Sequence, residues 1–155
     1  MVKRFAALAA ATIMGAVIAG WGVSVAGPRI ASPYEIQTIE ANKVQHTVDL
    51  GKRGLTPGDT LTIRDDLTAL VGGATLGQMH EVCTVIPAKQ LSLECFGTAE
   101  FADGQISVAG EFPPSDPDNS YAITGGTGTY QNVGGKMEIA SAGHGVLALN
   151  FFVVP

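Results

Sequence analysis

Apolar and polar residues alternate along much of the chain, which is typical of strands that bury one face. The alternation is clearest at Val44, His46, Val48 and Leu50, at Leu61 with Ile63, and at Ile106 with Val108. The predicted strands are 34–40, 44–50, 60–70, 75–86, 91–101, 105–112, 120–124, 135–140 and 144–153. Since no segment after the first 26 residues shows a long helical period, the pattern predicts an all-β domain.

Turn-forming residues separate these segments. Glycine, proline, aspartate and asparagine concentrate at 51–58, 72–73, 103–104 and 113–119. Short strands joined in this way favour a closed antiparallel barrel of about eight strands, because closure removes the unpaired edges. A barrel of about that size has room for side chains or one small ligand, so we expect a central apolar cavity and look there for function.

A glycine cluster at Gly125, Gly126 and Gly128 lies between two of the predicted strands. A phosphate-binding loop would need a glycine where Tyr130 stands and a serine or threonine where Met137 stands. The dinucleotide-binding pattern also fails, because a strand follows the cluster. The cluster is therefore interpreted as a structural corner of the barrel.

The first 26 residues have the composition of a secretory signal peptide. Lys3 and Arg4 precede an uncharged apolar run, and small residues at 24–26 provide a cleavage site. An uncleaved membrane anchor is the alternative, because the run is just long enough to span a bilayer. The sequence thus predicts a signal or anchor at 1–26 and one barrel domain at 27–155 of a secreted or extracytoplasmic protein.

The charge balance limits the partners. The chain has nine basic and 14 acidic residues, and removing Lys3 and Arg4 leaves seven basic ones and a net charge of −7. This sign argues against nucleic acid and against anionic membrane surfaces as partners of the mature chain. The three histidines show no metal-ligand spacing with one another or with the cysteines, so no metal site is predicted.

Cys83 and Cys95 are the two cysteines of the chain, and the sequence between them is typical of a hairpin. If the turn centres on Lys89, the cysteines oppose each other on the same face of adjacent strands. In an exported protein they are candidates for a disulfide. Two buried thiols that face a cavity are the alternative.

Four segments resemble, in order, characteristic stretches of the allene oxide cyclase barrel superfamily, which also contains dirigent proteins. They are residues 58–67, 81–86, 104–110 and 122–128. The resemblance covers most of residues 34–153. It implies an eight-stranded antiparallel barrel with a hydrophobic cavity, no cofactor, a small hydrophobic ligand, and often a homo-oligomer such as a dimer or trimer.

The resemblance also implies roles for individual residues. Glu35 matches a glutamate that stabilises positive charge in the substrate, and Gln37 replaces an asparagine that helps to hold a water. Asp65 aligns with a cavity asparagine, and Cys83 aligns with a cysteine that lines the pocket. The other predicted substrate-binding residues are Ile63 and Tyr121.

Glu35 and Asp65 are the candidate catalytic residues. A carboxylate in an apolar cavity has a raised pKa, which suits proton transfer or the stabilisation of a cation. The alternative is that both are solvated strand residues near the rim of the barrel.

The functional hypothesis is a cofactor-independent cyclase or isomerase. Its cavity would hold one folded conformer of a hydrophobic polyene, polyketide or fatty-acid-derived substrate for stereoselective ring closure. The alternatives are a non-catalytic, dirigent-like guide or carrier of an apolar ligand, and a structural secreted barrel whose interior is filled by side chains.

Overall fold

The computed structural model describes residues 32–51, 53–116 and 118–155, so the predicted signal segment at 1–26 lies outside the described residues. The strands are β1 (Tyr34–Val48), β2 (Thr60–Ala69), β3 (Thr75–Ile86), β4 (Ser92–Phe101), β5 (Gly104–Phe112), β6 (Asn119–Gly126), β7 (Gly134–Gly143) and β8 (Val146–Val154). One 3₁₀ turn, Gly128–Tyr130, follows β6. Among the described residues, no helix is long and apolar enough to cross a membrane.

The eight strands form a closed barrel in which each pairs antiparallel with its neighbours in sequence, and β8 closes the barrel against β1. The predicted fold class is confirmed. The number of strands is eight rather than the nine predicted segments, because 34–40 and 44–50 belong to one continuous strand.

A bulge in β1 explains why this strand resembles two. The register against β2 shifts between Ala41 and Val44. Asn42 occupies the left-handed region at φ 51°, which asparagine tolerates better than most residues, and its amide donates to Asp66 at 2.8 Å. The bulge changes which residues of β1 face inward. Before the bulge, even-numbered Glu40 pairs with inward-facing Leu67; after it, odd-numbered Gln45 pairs with inward-facing Ile63.

The middle of the barrel is filled by side chains. Leu67, Met79, Ala99 and Phe151 are fully buried there. They come from β2, β3, β4 and β8, so the plug spans the interior from several walls. Among the described residues, side chains thus occupy the place of the expected central cavity, and space is left at the two ends of the barrel.

Asp59 fixes the loop between β1 and β2. Its carboxylate accepts hydrogen bonds from the backbone N–H of Leu50 at 2.8 Å and of Thr56 at 2.7 Å, and from the Thr56 hydroxyl at 3.1 Å. The two backbone bonds hold the pKa of Asp59 below its usual value. The carboxylate therefore provides the hydrogen-bond acceptors that a neighbouring strand would otherwise offer to these two backbone N–H groups.

The Cys83–Cys95 pair forms a disulfide between directly opposed residues of β3 and β4, as predicted.

The glycine corner packs against the turn between β4 and β5. Gly128 has φ 61°, and a Cβ there would overlap the carbonyl oxygen of Asp103. A Cβ at Gly126 would overlap the carbonyl oxygen of Gln105. Close backbone approach explains why these two positions are glycines.

Candidate functional site

Three carboxylates occupy the inner wall at one end of the barrel. Glu40 of β1 and Asp65 of β2 are buried, and Glu81 of β3 is partly buried. The inward position of each follows from strand alternation, since Thr38, Leu67 and Cys83 lie two residues away on the same face. Such grouping of acidic side chains in an otherwise apolar interior is uncommon.

Lys43 is the cation of this cluster. Its ammonium group lies 3.2 Å from a carboxylate oxygen of Glu40. Burial lowers the pKa of Lys43, but the charges of Glu40 and Asp65 outweigh burial and raise it overall. Lys43 thus stays protonated and neutralises one of the three carboxylates.

Asp65 is the least compensated group. It is fully buried, and among the described residues no donor reaches either of its carboxylate oxygens. Burial, followed by the charge of Glu40, raises the pKa of Asp65 to about 6. Asp65 is therefore a buried carboxyl group that keeps its proton up to a pH of about 6.

Glu81 is a second proton carrier. Burial first, and then the charge of Glu40, raises the pKa of Glu81 to about 7. Near neutral pH the cluster consequently holds exchangeable protons inside an apolar wall, which is the arrangement that general acid–base chemistry requires. Within the described residues, no group of three or more His, Cys, Asp or Glu side chains is placed to hold a metal ion.

A small cavity adjoins the cluster. Its volume is about 40 Å³, enough for about three water molecules. The residues that line it are Glu40, Lys43, Ile63, Glu81, Cys83, Phe112, Tyr121, Ile139, Leu147 and Leu149. Lys43, Phe112 and Leu147 are only partly buried or exposed, so they form the rim where a larger ligand would enter.

The structure brings together some of the predicted site residues. Asp65 faces the interior, and Ile63, Cys83 and Tyr121 line the cavity. Cys83 does so as half of the disulfide and offers no thiol. The Tyr121 ring is buried, and burial raises its pKa well above the usual value, so its phenol stays protonated.

Glu35 and Gln37 lie elsewhere. Both are exposed on the outer face of β1, where the Gln37 amide donates to the Glu35 carboxylate at 2.9 Å. Their neighbours Ile36 and Thr38 take the inward positions. Glu35 and Gln37 were expected to face the cavity, and this expectation is wrong. Strand alternation turns both side chains outward, because Ile36 and Thr38 point inward.

Glu40 and Lys43 were missed by the sequence reasoning. Glu40 shares the inward alternation of Ile36 and Thr38, so the strand pattern contained the signal. Lys43 has no such signal, because its inward direction depends on the bulge beside it.

The opposite end of the barrel is aromatic. A cavity of about 560 Å³ opens there between Tyr34, Phe101 and Tyr130, with Asp103 beside it. A third depression, of about 680 Å³, lies on the outer face of β1–β6 and includes exposed Val44, Val82 and Phe96. The barrel thus has a carboxylate end, an aromatic end and one apolar groove on its outer wall.

No protein-family model and no curated protein matches the chain. Solved structures do resemble it. Pyocyanin demethylase matches over 79% of this chain and 100% of its own, with a TM-score of 0.66 and 22% identity. The pterocarpan synthase dirigent protein PsPTS1 matches over 79% and 95%, with a TM-score of 0.63 and 20% identity.

A third similar structure is AbnU, described as an exo-specific intermolecular Diels-Alderase. It matches over 79% of this chain and 98% of its own, with a TM-score of 0.59 and 13% identity. At these identities the likeness shows the fold alone, a closed β-barrel that this chain shares with the three proteins. It does not single out the allene oxide cyclases.

Proposed function

We propose that this barrel is a cofactor-independent cyclase or isomerase that binds a small hydrophobic polyene, polyketide or fatty-acid-derived molecule at its carboxylate end. The observation that supports the proposal most is the buried, donor-free carboxyl group of Asp65 beside Glu40. Burying such a group destabilises a fold unless it is paired, so its presence favours a chemical role over a structural one.

The reaction follows from the protons that the cluster holds. A protonated interior carboxyl group donates its proton to the bound substrate, and the neighbouring carboxylates stabilise the positive charge that results. The ring bond forms while the apolar walls hold the reacting ends together. Loss of a proton from the substrate to the carboxylate restores the site, so the product has the mass of the substrate.

Entry of the substrate requires the rim to move. Small-molecule sites commonly measure about 300–1,000 Å³, well above the about 40 Å³ found beside Glu40 and Glu81. Lys43 is suited to act as the movable group, since its side chain is 38% exposed and one ion pair holds it across the opening. Displacing Lys43 would also leave Glu40 free to face the substrate.

The test is turnover with linear polyenes and polyunsaturated fatty-acid derivatives, followed by chromatography that separates cyclic products of unchanged mass. Asp65→Asn and Glu81→Gln each remove a proton carrier and should lower turnover at least about tenfold, the lower end of what one acid–base group contributes. Glu100→Gln is the matched control, because Glu100 is an exposed carboxylate on the outer face of β4. Equal activity in all three variants would contradict the proposal.

A non-catalytic guide or carrier is the second candidate. The apolar lining by Ile63, Ile139 and Leu149 favours it, because these side chains bind a ligand without acting on it. Ligand uptake without turnover, equal in wild type and Asp65→Asn, would select this candidate. Failure of both uptake and turnover would select a structural barrel.

Export and self-association complete the proposal. The Cys83–Cys95 disulfide supports a secreted or extracytoplasmic location, since disulfides persist in oxidising compartments. A homo-oligomer has a candidate surface in the exposed outer-wall side chains Val44, Val82 and Phe96. Light scattering of the protein and of a Phe96→Ser variant tests this: loss of an oligomer in the variant is expected, and a monomeric wild type would contradict it.

A further inference from the structure

The aromatic end of the barrel has the composition of a binding site of its own. Its cavity measures about 560 Å³, within the usual range for small-molecule sites. Phe101 and Tyr130 lie with ring centroids 5.7 Å apart, and Tyr34 stands beside them with 39% of its surface exposed. We call this set of three rings with Asp103 the aromatic basket.

The basket has one charged residue. Among the described residues that line the cavity, Asp103 is the only aspartate, glutamate, lysine, arginine or histidine. No lysine, arginine or histidine of the described chain forms an ion pair with it. The Tyr130 hydroxyl donates to its carboxylate at 3.0 Å. Burial, followed by the charge of Asp103, raises the pKa of Tyr34, so this negative charge acts on more than one ring of the basket.

The backbone holds the basket in this arrangement. The Thr127 N–H donates to the carbonyl of Gln105 at 2.9 Å, and the Thr129 N–H donates to the carbonyl of Asp103 at 3.0 Å. The glycine corner permits this approach, because a Cβ at Gly128 would overlap the same Asp103 carbonyl. Tyr130 and Asp103 are therefore positioned by the fold before any ligand arrives, which reduces the ordering that binding requires.

We infer that the aromatic basket binds a small organic cation, of the quaternary ammonium or N-alkylated ring class. The faces of aromatic rings attract cations, and several rings around one opening are the known way to recognise a quaternary ammonium group. The carboxylate of Asp103, which forms no ion pair, also attracts a cation. A neutral ligand would gain the apolar contact alone.

The basket is separate from the carboxylate end. Fully buried Leu67, Met79 and Phe151 fill the barrel between the two cavities, and no residue lines both. Binding at the basket therefore does not depend on the proposed cyclase activity. Failure of one proposal leaves the other standing.

The experiment compares two probes of equal shape by calorimetric or NMR titration of the full chain at low salt. Choline contains a quaternary nitrogen, and 3,3-dimethylbutan-1-ol has a carbon in its place. We expect choline to bind at least about tenfold more tightly than the alcohol, since the charge supplies the cation–π term. Asp103→Asn and Tyr34→Leu should each weaken choline binding several-fold. Tyr34→Phe, which keeps the aromatic ring, should bind choline as tightly as the wild type.

Asp116→Asn is the matched control. It removes the same charge from an exposed loop after β5, and choline affinity should stay at the wild-type value. Thermal unfolding of each variant checks that the barrel remains folded; Tyr34 is exposed enough that its replacement leaves the core intact.

Three results would overturn the inference. Equal affinity for choline and the alcohol would make the basket a plain apolar groove. Binding that Asp103→Asn and Tyr34→Leu leave unchanged would place the cation elsewhere. Absence of choline binding by the folded wild-type chain, with tetramethylammonium and N-methylpyridinium also failing, would remove the site.

Discussion

Replacing Asp65 with asparagine should stabilise the protein at neutral pH and not at acidic pH. Burial, together with the charge of Glu40, raises the pKa of Asp65 from 3.8 to about 6. A raised carboxyl pKa means that the folded state holds a proton that the unfolded chain has released. The folded state is therefore penalised as pH rises from about 4 to about 6, and the full penalty applies above pH 6.

The magnitude follows from the size of the shift. About two pKa units correspond to about 3 kcal/mol, at about 1.4 kcal/mol for each unit. This is a large part of the unfolding free energy of a typical folded protein, which is about 5–15 kcal/mol. Removing the charge of Asp65 also lowers the pKa of Glu81, because Asp65 is one of the groups that raise it. This second effect has the same sign and enlarges the gain.

Urea unfolding at pH 4, 6 and 8, with the disulfide intact, measures the effect. The quantity to compare is the variant minus wild-type difference in unfolding free energy, because an asparagine amide left without a partner would shift all three values equally. We expect this difference to rise by about 3 kcal/mol between pH 4 and pH 8. Glu100→Gln, on the exposed outer face, should change stability by no more than about 0.5 kcal/mol.

A difference that stays constant from pH 4 to pH 8 would refute the reasoning. It would mean that Asp65 ionises in the folded state as readily as in the unfolded chain. The proposed proton donor would then be lost.

Further predictions concern the loop, the disulfide and the outer face. Asp59→Asn should lower the urea midpoint at pH 7, because the Asp59 carboxylate accepts hydrogen bonds from Leu50 and Thr56. Since these bonds lower the pKa of Asp59, the difference from wild type should shrink progressively as pH falls below about 4, and an equal difference at pH 2.5 would contradict the assignment. Replacing Cys83 and Cys95 together with alanine should reduce the unfolding free energy by about 2–3 kcal/mol, from the entropy of a short closed loop with a sequence separation of 12; an unchanged urea midpoint would argue against the bond. Glu35→Gln should leave ligand uptake and turnover at wild-type values, because Glu35 lies outside the barrel; loss of turnover with binding retained would return Glu35 to the site.

Local sequence patterns predicted the barrel itself. Alternation and turn residues placed a predicted segment on every strand, although they divided β1 into two, because both signals depend on residues close together in sequence. The disulfide was accessible in the same way: a hairpin turn centred on Lys89 places Cys83 opposite Cys95. The glycine corner was also predictable, since close backbone approach leaves few other residues.

The interior was predicted less well, because it depends on which face of each strand turns inward. Alternation gives two equivalent faces, and in β1 the apolar residue Val44 is exposed while Glu40 is buried. The bulge beside Asn42 then exchanges the faces, so no single alternating pattern describes the strand. Lys43 was consequently not expected at the site at all. Glu35 was expected inside because of the resemblance alone, and the alternation of β1 places it outside.

The carboxylate cluster became visible only in three dimensions. Glu40, Asp65 and Glu81 belong to three successive strands, and their closeness follows from the register of β1, β2 and β3. Sequence separations of 25 and 16 residues contain no hint of this register. Pairing between strands decides it, and pairing is a property of the folded chain.

The most direct test of the proposed function is native mass spectrometry of the protein, isolated from its own host without detergent. We expect one small apolar molecule bound to each chain, and we expect it to be lost in an Ile63→Phe variant, in which the larger side chain narrows the cavity. A ring in that molecule, absent from its precursor, would identify the product of the proposed reaction. A folded protein that is empty, and that also takes up no polyene or fatty-acid derivative, would rule out both the cyclase and the carrier.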